Sequence, residues 1–275
     1  MTMGYDGGAR KTHAQSIERL VRRASPKEII LASVAVVVML LIAIKMLLTD
    51  HDVLFLAAEF VHFVGIGFLA YKMLVHKNCA GLSLKSQQLT AGFLGIRLYC
   101  SLVMEYDWHT ILDALTLVAT IWVVRMMQTT VRGTYNAGLD STPLAYVLVP
   151  CVALAIVAHP TTKHWWINRV LWAACVFIEA ISVLPQLQMM QKARVVERFT
   201  ANYVFALGVA RFLSCAHWIL QVFDQKSYLQ TALGRGIWPL MVIVSEMVQT
   251  GILADFCYYF VLSLSRGDFN VTLPV

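Results

Sequence analysis

The side chains of this sequence that could do chemistry are charges set inside long apolar runs. Arg97 leads them. It follows the polar turn Cys79-Ala-Gly-Leu-Ser-Leu-Lys-Ser-Gln87 and lies about two and a half turns into an apolar helix. A guanidinium stays protonated in almost any protein setting. At that depth in a lipid-bound helix it costs roughly 2.5 kcal/mol or more, so it is normally turned inward toward a partner or a ligand. Lys45, Glu59, His62, Asp113, Glu179, Arg211, Glu246 and Asp255 also fall within apolar runs. Lys45 is near enough to a span end to snorkel, and Asp113, close to a helix start, is read as solvated.

Helical spacing gathers the rest into stripes. Trp172, Glu179, Ser182 and Gln186 share a face, as do Gly208, Arg211, Ser214 and Trp218. Glu246, Gln249 and Thr250 cluster on the last apolar run, followed by Asp255, Tyr258 and Tyr259. Two inward arginines favour a water-filled cavity for an anion, because a guanidinium grips a carboxylate through paired hydrogen bonds. Salt bridges that only join helices are the plainer reading. His62 changes charge between about pH 5 and 8. It is either a pH sensor or a neutral core histidine.

The elements that must position these groups are membrane helices. Of the 275 residues 59% are hydrophobic and 14% charged, with mean hydropathy +0.66. Soluble domains carry about 25% charge. Eight apolar segments, roughly 29–48, 53–74, 88–105, 109–127, 143–159, 166–188, 200–223 and 236–264, are each near the ~20 residues a span needs. The all-α organisation expected is a basic segment 1–27, an added span within 28–49, a helical bundle over 50–264 and a short tail 265–275. With the N-terminus in the cytosol, fifteen of the 22 Lys and Arg fall on cytosolic segments. Three, Lys163, Lys226 and Arg235, fall on lumenal loops, so both termini are expected in the cytosol. The Asn270-Val-Thr272 sequon then escapes glycosylation.

The net charge of +6 sits on loops and one terminus and does not argue for nucleic acid. None of the six cysteines forms a CxxC pair, and they read as small buried hydrophobes. No hydrolase, kinase, dinucleotide or metal motif occurs, so no enzyme, cofactor or metal is expected. A faint repeat relates Phe60-Val-His62 to Phe177-Ile-Glu179, and Lys85-Ser-Gln87 before Arg97 to Phe199-Thr200 before Arg211. Transporters with such repeats bind at the midplane.

Four blocks carry a resemblance. They are Cys79 to Gln87, Val183-Leu-Pro-Gln-Leu187, Tyr203-Val-Phe-Ala-Leu-Gly-Val-Ala-Arg211, and Val248-Gln-Thr with Asp255-Phe-Cys-Tyr258. In order and spacing they resemble the ER lumen protein-retaining (KDEL) receptors, with an added first span like the longer plant-type branch. The resemblance implies a seven-helix bundle related to PQ-loop and SWEET transporters, with a 3+1+3 repeat and loop motifs at Ser86-Gln87 and Pro185-Gln186. It implies capture of a C-terminal tetrapeptide in the acidic Golgi and release in the ER. Arg97 then meets the peptide carboxylate, His62 responds to pH, Glu179 and Arg211 form the core charged pair, and Trp172 and Trp218 are cavity aromatics. Glu59, Asp255 and Tyr258 are further ligand-binding candidates.

Four positions depart from the family. Phe55 stands for an arginine, Cys100 for an aspartate, Arg169 for a glutamate and Ala210 for a tyrosine. The lost acids help receive the signal's basic first residue, so the carboxylate end is retained and the selecting end altered. The tail lacks the family's lysine-rich signal. The expected partners are the C-terminal tetrapeptide of lumenal proteins, membrane lipid, and coat proteins at the cytosolic loops. Transport of a small organic anion is the alternative. An Arg97→Ala change is expected to abolish binding without loss of folding.

Overall fold

The computed structural model describes residues 52–104, 108–223, 236–267 and 270–273. The basic segment 1–27 and the added span at 29–48 lie outside the described residues. The helices are α1 (Asp52–Tyr71), α2 (Leu84–Met104), α3 (Trp108–Gln128), α4 (Ala145–Val157), α5 (Trp166–Ile181), α6 (Leu184–Ala193), α7 (Arg198–Phe223) and α8 (Trp238–Arg266). Among the described residues, five segments are long and apolar enough to cross a membrane: Val53–His76, His109–Gln128, Trp166–Ala193, Arg198–Leu220 and Trp238–Arg266. Their outward faces stay apolar, with Phe60, Leu115, Val118 and Ile121 exposed. Helices keep every backbone bond inside the segment, and apolar outer faces match lipid, which fits a multi-pass membrane protein.

α1 packs chiefly on α7, and α8 packs on α7 and α5. Glycines set the closest approaches. A Cβ at Gly65 would lie 3.2 Å from Ala206 Cβ, and one at Gly208 would strike Cys257 Sγ. One apolar core, around Ile66, Leu69, Met127, Tyr203 and Phe256, joins α1, α3, α7 and α8. A second, around Phe93, Leu94, Ala173, Phe177 and Trp238, joins α2, α5 and α8.

The segment expected as one helix over 166–188 is broken at Ser182-Val183. Pro185 has no N–H to give the carbonyl one turn back and enters the first turn of α6 instead. The break serves the loop motifs. Gln186 Oε1 accepts the Ser83 N–H at 2.8 Å, and its Nε2 donates to Gly81 O at 2.8 Å. Ser86 Oγ donates to Ser182 O at 2.7 Å, and Gln87 Nε2 to the Tyr203 hydroxyl at 2.8 Å. The two motifs, about a hundred residues apart in the chain, thus close one end of the bundle on each other. Ser83 caps α2 by accepting the Ser86 N–H, and its hydroxyl donates to Asp140. Tyr135 donates to the same carboxylate, and burial, then Asp140, raises that loop phenol above its ordinary range.

Two regions differ from the sequence reading. Lys72, one of the fifteen basic residues placed on cytosolic segments, is fully buried. It begins a π-turn (Lys72–His76) and donates to Ala80 O and Thr200 Oγ1, with Glu197 at 2.6 Å. The tail is also pinned. α8 ends at Gly267 (φ 76), and β2 (Val271–Thr272) pairs antiparallel with β1 (Val195–Val196).

Candidate functional site

Between the two cores lies a buried ion cluster drawn from five helices. Its centre is Arg97 of α2, whose guanidinium meets three carboxylates. Nε donates to Asp113 Oδ2 at 3.0 Å and Oδ1 at 3.2 Å, and Nη2 to Oδ1 at 2.8 Å. Nη1 donates to both Glu179 oxygens at 2.9 and 3.0 Å. Nη2 also reaches Glu59 at 3.0 Å. Glu179 is shared with Arg211 of α7. The Phe93 ring lies beneath both guanidinium carbons, at 5.5 Å from Arg97 and 5.9 Å from Arg211, so it adds a cation–π surface to each. Arg97, Arg211, Glu59, Asp113 and Glu179 are all at most 8% exposed.

Beside this cluster sits a small polar cavity of about 10 Å³, lined by His62, Thr90, Glu179, Arg211 and Gln249 among others. That is about the volume one water fills. His62 is 1% exposed, faces Phe93 at 6.4 Å, and has no hydrogen-bond partner on either ring nitrogen. Gln87 Oε1, Glu246 Oε2 and Gln249 Oε1 are likewise buried without one. Buried polar groups of this kind need a hydrogen-bond partner, and the cavity is large enough for a water to serve those that line it.

Several expectations need correction. The arginines do not line a wide water-filled cavity. Glu59 and Asp113 complete the Arg97 coordination and draw the helices shut. Asp113 is not solvated: it is 2% exposed and bound to Arg97. A signal for it exists in the sequence, because Thr110, Asp113, Thr116 and Thr120, spaced by three and four, form the buried polar stripe of α3. Asp255 and Tyr258 do not join the site. The inward stripe of α8 runs Val242, Glu246, Gln249, Leu253, Phe256 and Phe260, and Asp255 and Tyr258 fall off it, exposed. Trp172 and Trp218 pack half-buried against the second apolar core. Ser86, Gln87, Pro185 and Gln186 join the two chain segments at the far end of the bundle from the α2–α3 connection. Phe93, the platform for both arginines, carries no sequence signal apart from apolarity.

Three of the positions that depart from the family pattern lie within about a turn of the cluster along the same helices, Phe55 before Glu59, Cys100 after Arg97 and Ala210 beside Arg211. Phe55 packs against the His109 and His217 rings, with centroids at 4.6 and 5.4 Å. Cys100 Sγ approaches Asn168 O at 4.0 Å, next to half-buried Arg169. Ala210 is buried in α7.

Comparison with known proteins gives a consistent set of relatives. The family profile described as ER lumen protein retaining receptor matches residues 78–221. An ER lumen protein-retaining receptor of Entamoeba histolytica is 28% identical over 214 residues, covering 77% of this chain and 94% of that protein. ER lumen protein-retaining receptor A of Arabidopsis thaliana is 29% identical over 211 residues (75% and 92%). ER lumen protein-retaining receptor 3 of Xenopus laevis is 30% identical over 216 residues (78% and 94%). All three bear receptor names, so the transporter alternative is not favoured.

Proposed function

This chain belongs to the ER lumen protein-retaining receptor family, and on that premise we propose that it is a membrane receptor for the C-terminal retention signal of ER lumenal proteins. The signal is of HDEL or KDEL type, captured in the Golgi and released in the ER. Both termini lie in the cytosol, and the bundle has the 3+1+3 order of PQ-loop transporters behind an added first helix. Lipid surrounds the apolar faces, and coat proteins engage the cytosolic loops.

The observation that carries this reading is two guanidinium groups sharing one carboxylate, Glu179, inside an apolar bundle. A guanidinium pair is the natural receptor for a peptide carboxylate, the one group every C-terminal signal shares. Arg97 takes that carboxylate, Arg211 and Glu179 brace it, Glu59 borders it, and Trp172 and Trp218 wall the region. Capture is favoured at acid pH, and His62, beside the ion cluster, is the group assigned to that response. Cys100 and Arg169, which stand for the family's acids, weaken selection of a basic first residue, so the carboxylate dominates recognition.

The test is binding of an HDEL-terminated peptide to the purified chain at about pH 5.5 and 7.4, spanning the histidine range. The free-acid peptide is expected to bind about tenfold more tightly at the lower pH, or about 1.4 kcal/mol. Affinity unchanged by amidating the peptide carboxylate would refute the assignment of Arg97.

A further inference from the structure

Asp113 has no role in the reading above, yet it holds the best docking edge of Arg97. Its two oxygens meet Nε and Nη2 in the two-pronged geometry by which a free carboxylate grips a guanidinium. Glu179 occupies Nη1, and Glu59 shares Nη2. All three guanidinium nitrogens of Arg97 therefore donate to carboxylates of this chain. The charge count agrees. Arg97 and Arg211 face Glu59, Asp113 and Glu179, three carboxylates for two guanidiniums. A ligand would bring a fourth into a buried, low-dielectric space, where unmatched charge is heavily penalised. One internal carboxylate must give way.

Asp113 is the member whose departure frees a two-pronged edge of Arg97 while Glu179 still joins the two arginines. Glu179 bridges both arginines, so removing it would uncouple them. Glu59 contacts only Nη2, so its departure would free a single edge hydrogen. Asp113 alone holds both Nε and Nη2. It also lies near the α2–α3 connection, five residues into α3, with Arg97 seven residues before the end of α2.

We infer that Asp113 is an internal carboxylate that occupies the ligand position on Arg97 and sets the affinity of the site by competing with the incoming carboxylate. The inference rests on the reading of Arg97 as a carboxylate receptor. Apparent affinity is reduced by the fraction of molecules in which the site is filled from within, so removing the competitor should tighten binding. A purely structural Asp113 would predict the opposite.

The experiment uses the full chain in lipid nanodiscs at neutral pH. Asp113→Asn and Asp113→Ala are compared with the unaltered protein. The probes are an HDEL-terminated peptide, the same peptide with its carboxylate amidated, and a free-acid peptide of scrambled sequence. Both variants keep two carboxylates for two guanidiniums, which favours folding, and thermal unfolding checks it. The expected result is at least a tenfold gain for free-acid peptides in either folded variant and no gain for the amide. Unchanged or weaker free-acid binding, an equal gain for the amide, or no binding by any variant would overturn the inference. If the unaltered protein prefers acid over amide but the variants gain nothing, the inference falls alone and the receptor reading stands. If the variants gain equally for HDEL and scrambled acids, Asp113 is the competitor and the signal-receptor reading falls.

Discussion

Replacing Arg97 by Met should unfold part of this protein, not merely silence it. The side chain neutralises three buried carboxylates at once. Glu179 keeps Arg211 when Arg97 is lost, but Glu59 and Asp113 have no other cationic partner among the described residues. Two carboxylates are then stranded in the bundle interior. Breaking one buried pair by removing a partner costs about 3–5 kcal/mol, so Arg97→Met should cost at least about that much. In a chain of this size the melting temperature should fall by roughly 6–20 °C, at about 2–4 °C per kcal/mol. The compensated variant Arg97→Met/Glu59→Gln/Asp113→Asn removes one positive and two negative charges, leaving Arg211 with Glu179. It should recover most of the loss, because a matched polar or apolar set replaces the stranded charges. Thermal unfolding in nanodiscs reads both, with peptide binding as a second readout that stays lost in the triple variant. If Arg97→Met melts with the unaltered protein, or if the triple variant is no more stable than the single, the ion cluster is not what holds these helices together. The outcome also bears on the expectation that Arg97→Ala spares folding, which a threefold-paired guanidinium contradicts.

Two further outcomes test the frame around the site. Gln186→Leu strips the Ser83 N–H and the Gly81 carbonyl of their partner at once. Two backbone groups left unmet, at about 1–3 kcal/mol each where burial is complete, should lower the melting temperature and loosen the α2 start, seen as faster amide exchange at residues 83–87. Gly208→Ala drives a methyl group into Cys257 Sγ and should cost about 1–3 kcal/mol by overpacking, whereas Cys257→Ala in the same chain should recover most of it. A lack of coupling in that double-mutant cycle would mean α7 and α8 do not meet there.

The sequence by itself determined that this is a bundle of membrane helices and which faces turn inward. Apolar runs of span length and the cost of a charge in lipid leave few alternatives, so Glu179, Arg211, Glu246 and Gln249 could be placed on inward stripes from spacing alone. The loop motifs came from the resemblance and not from spacing, which ran one helix through Pro185 where the fold starts a new one. Helical spacing speaks against Asp255 and Tyr258, which at nine and twelve residues past Glu246 fall about 180° and about 120° around the helix from it, on the outer face. The sequence reading also failed at helix ends, where Asp113 near the start of α3 and Lys72 just past the end of α1 looked hydrated because chain position says nothing about which neighbour covers a side chain.

What only the tertiary structure decided is who pairs with Arg97. Its three carboxylates come from α1, α3 and α5, and nothing in the order of residues says that these helices converge on one guanidinium. Pairing depends on distances between separate helices, which packing of the two apolar cores fixes to a few tenths of an ångström. That packing turned an expected open anion cavity into a closed, internally neutralised cluster. It also gave Asp113 its place on Arg97, the one contact that decides whether an outside carboxylate finds the guanidinium free.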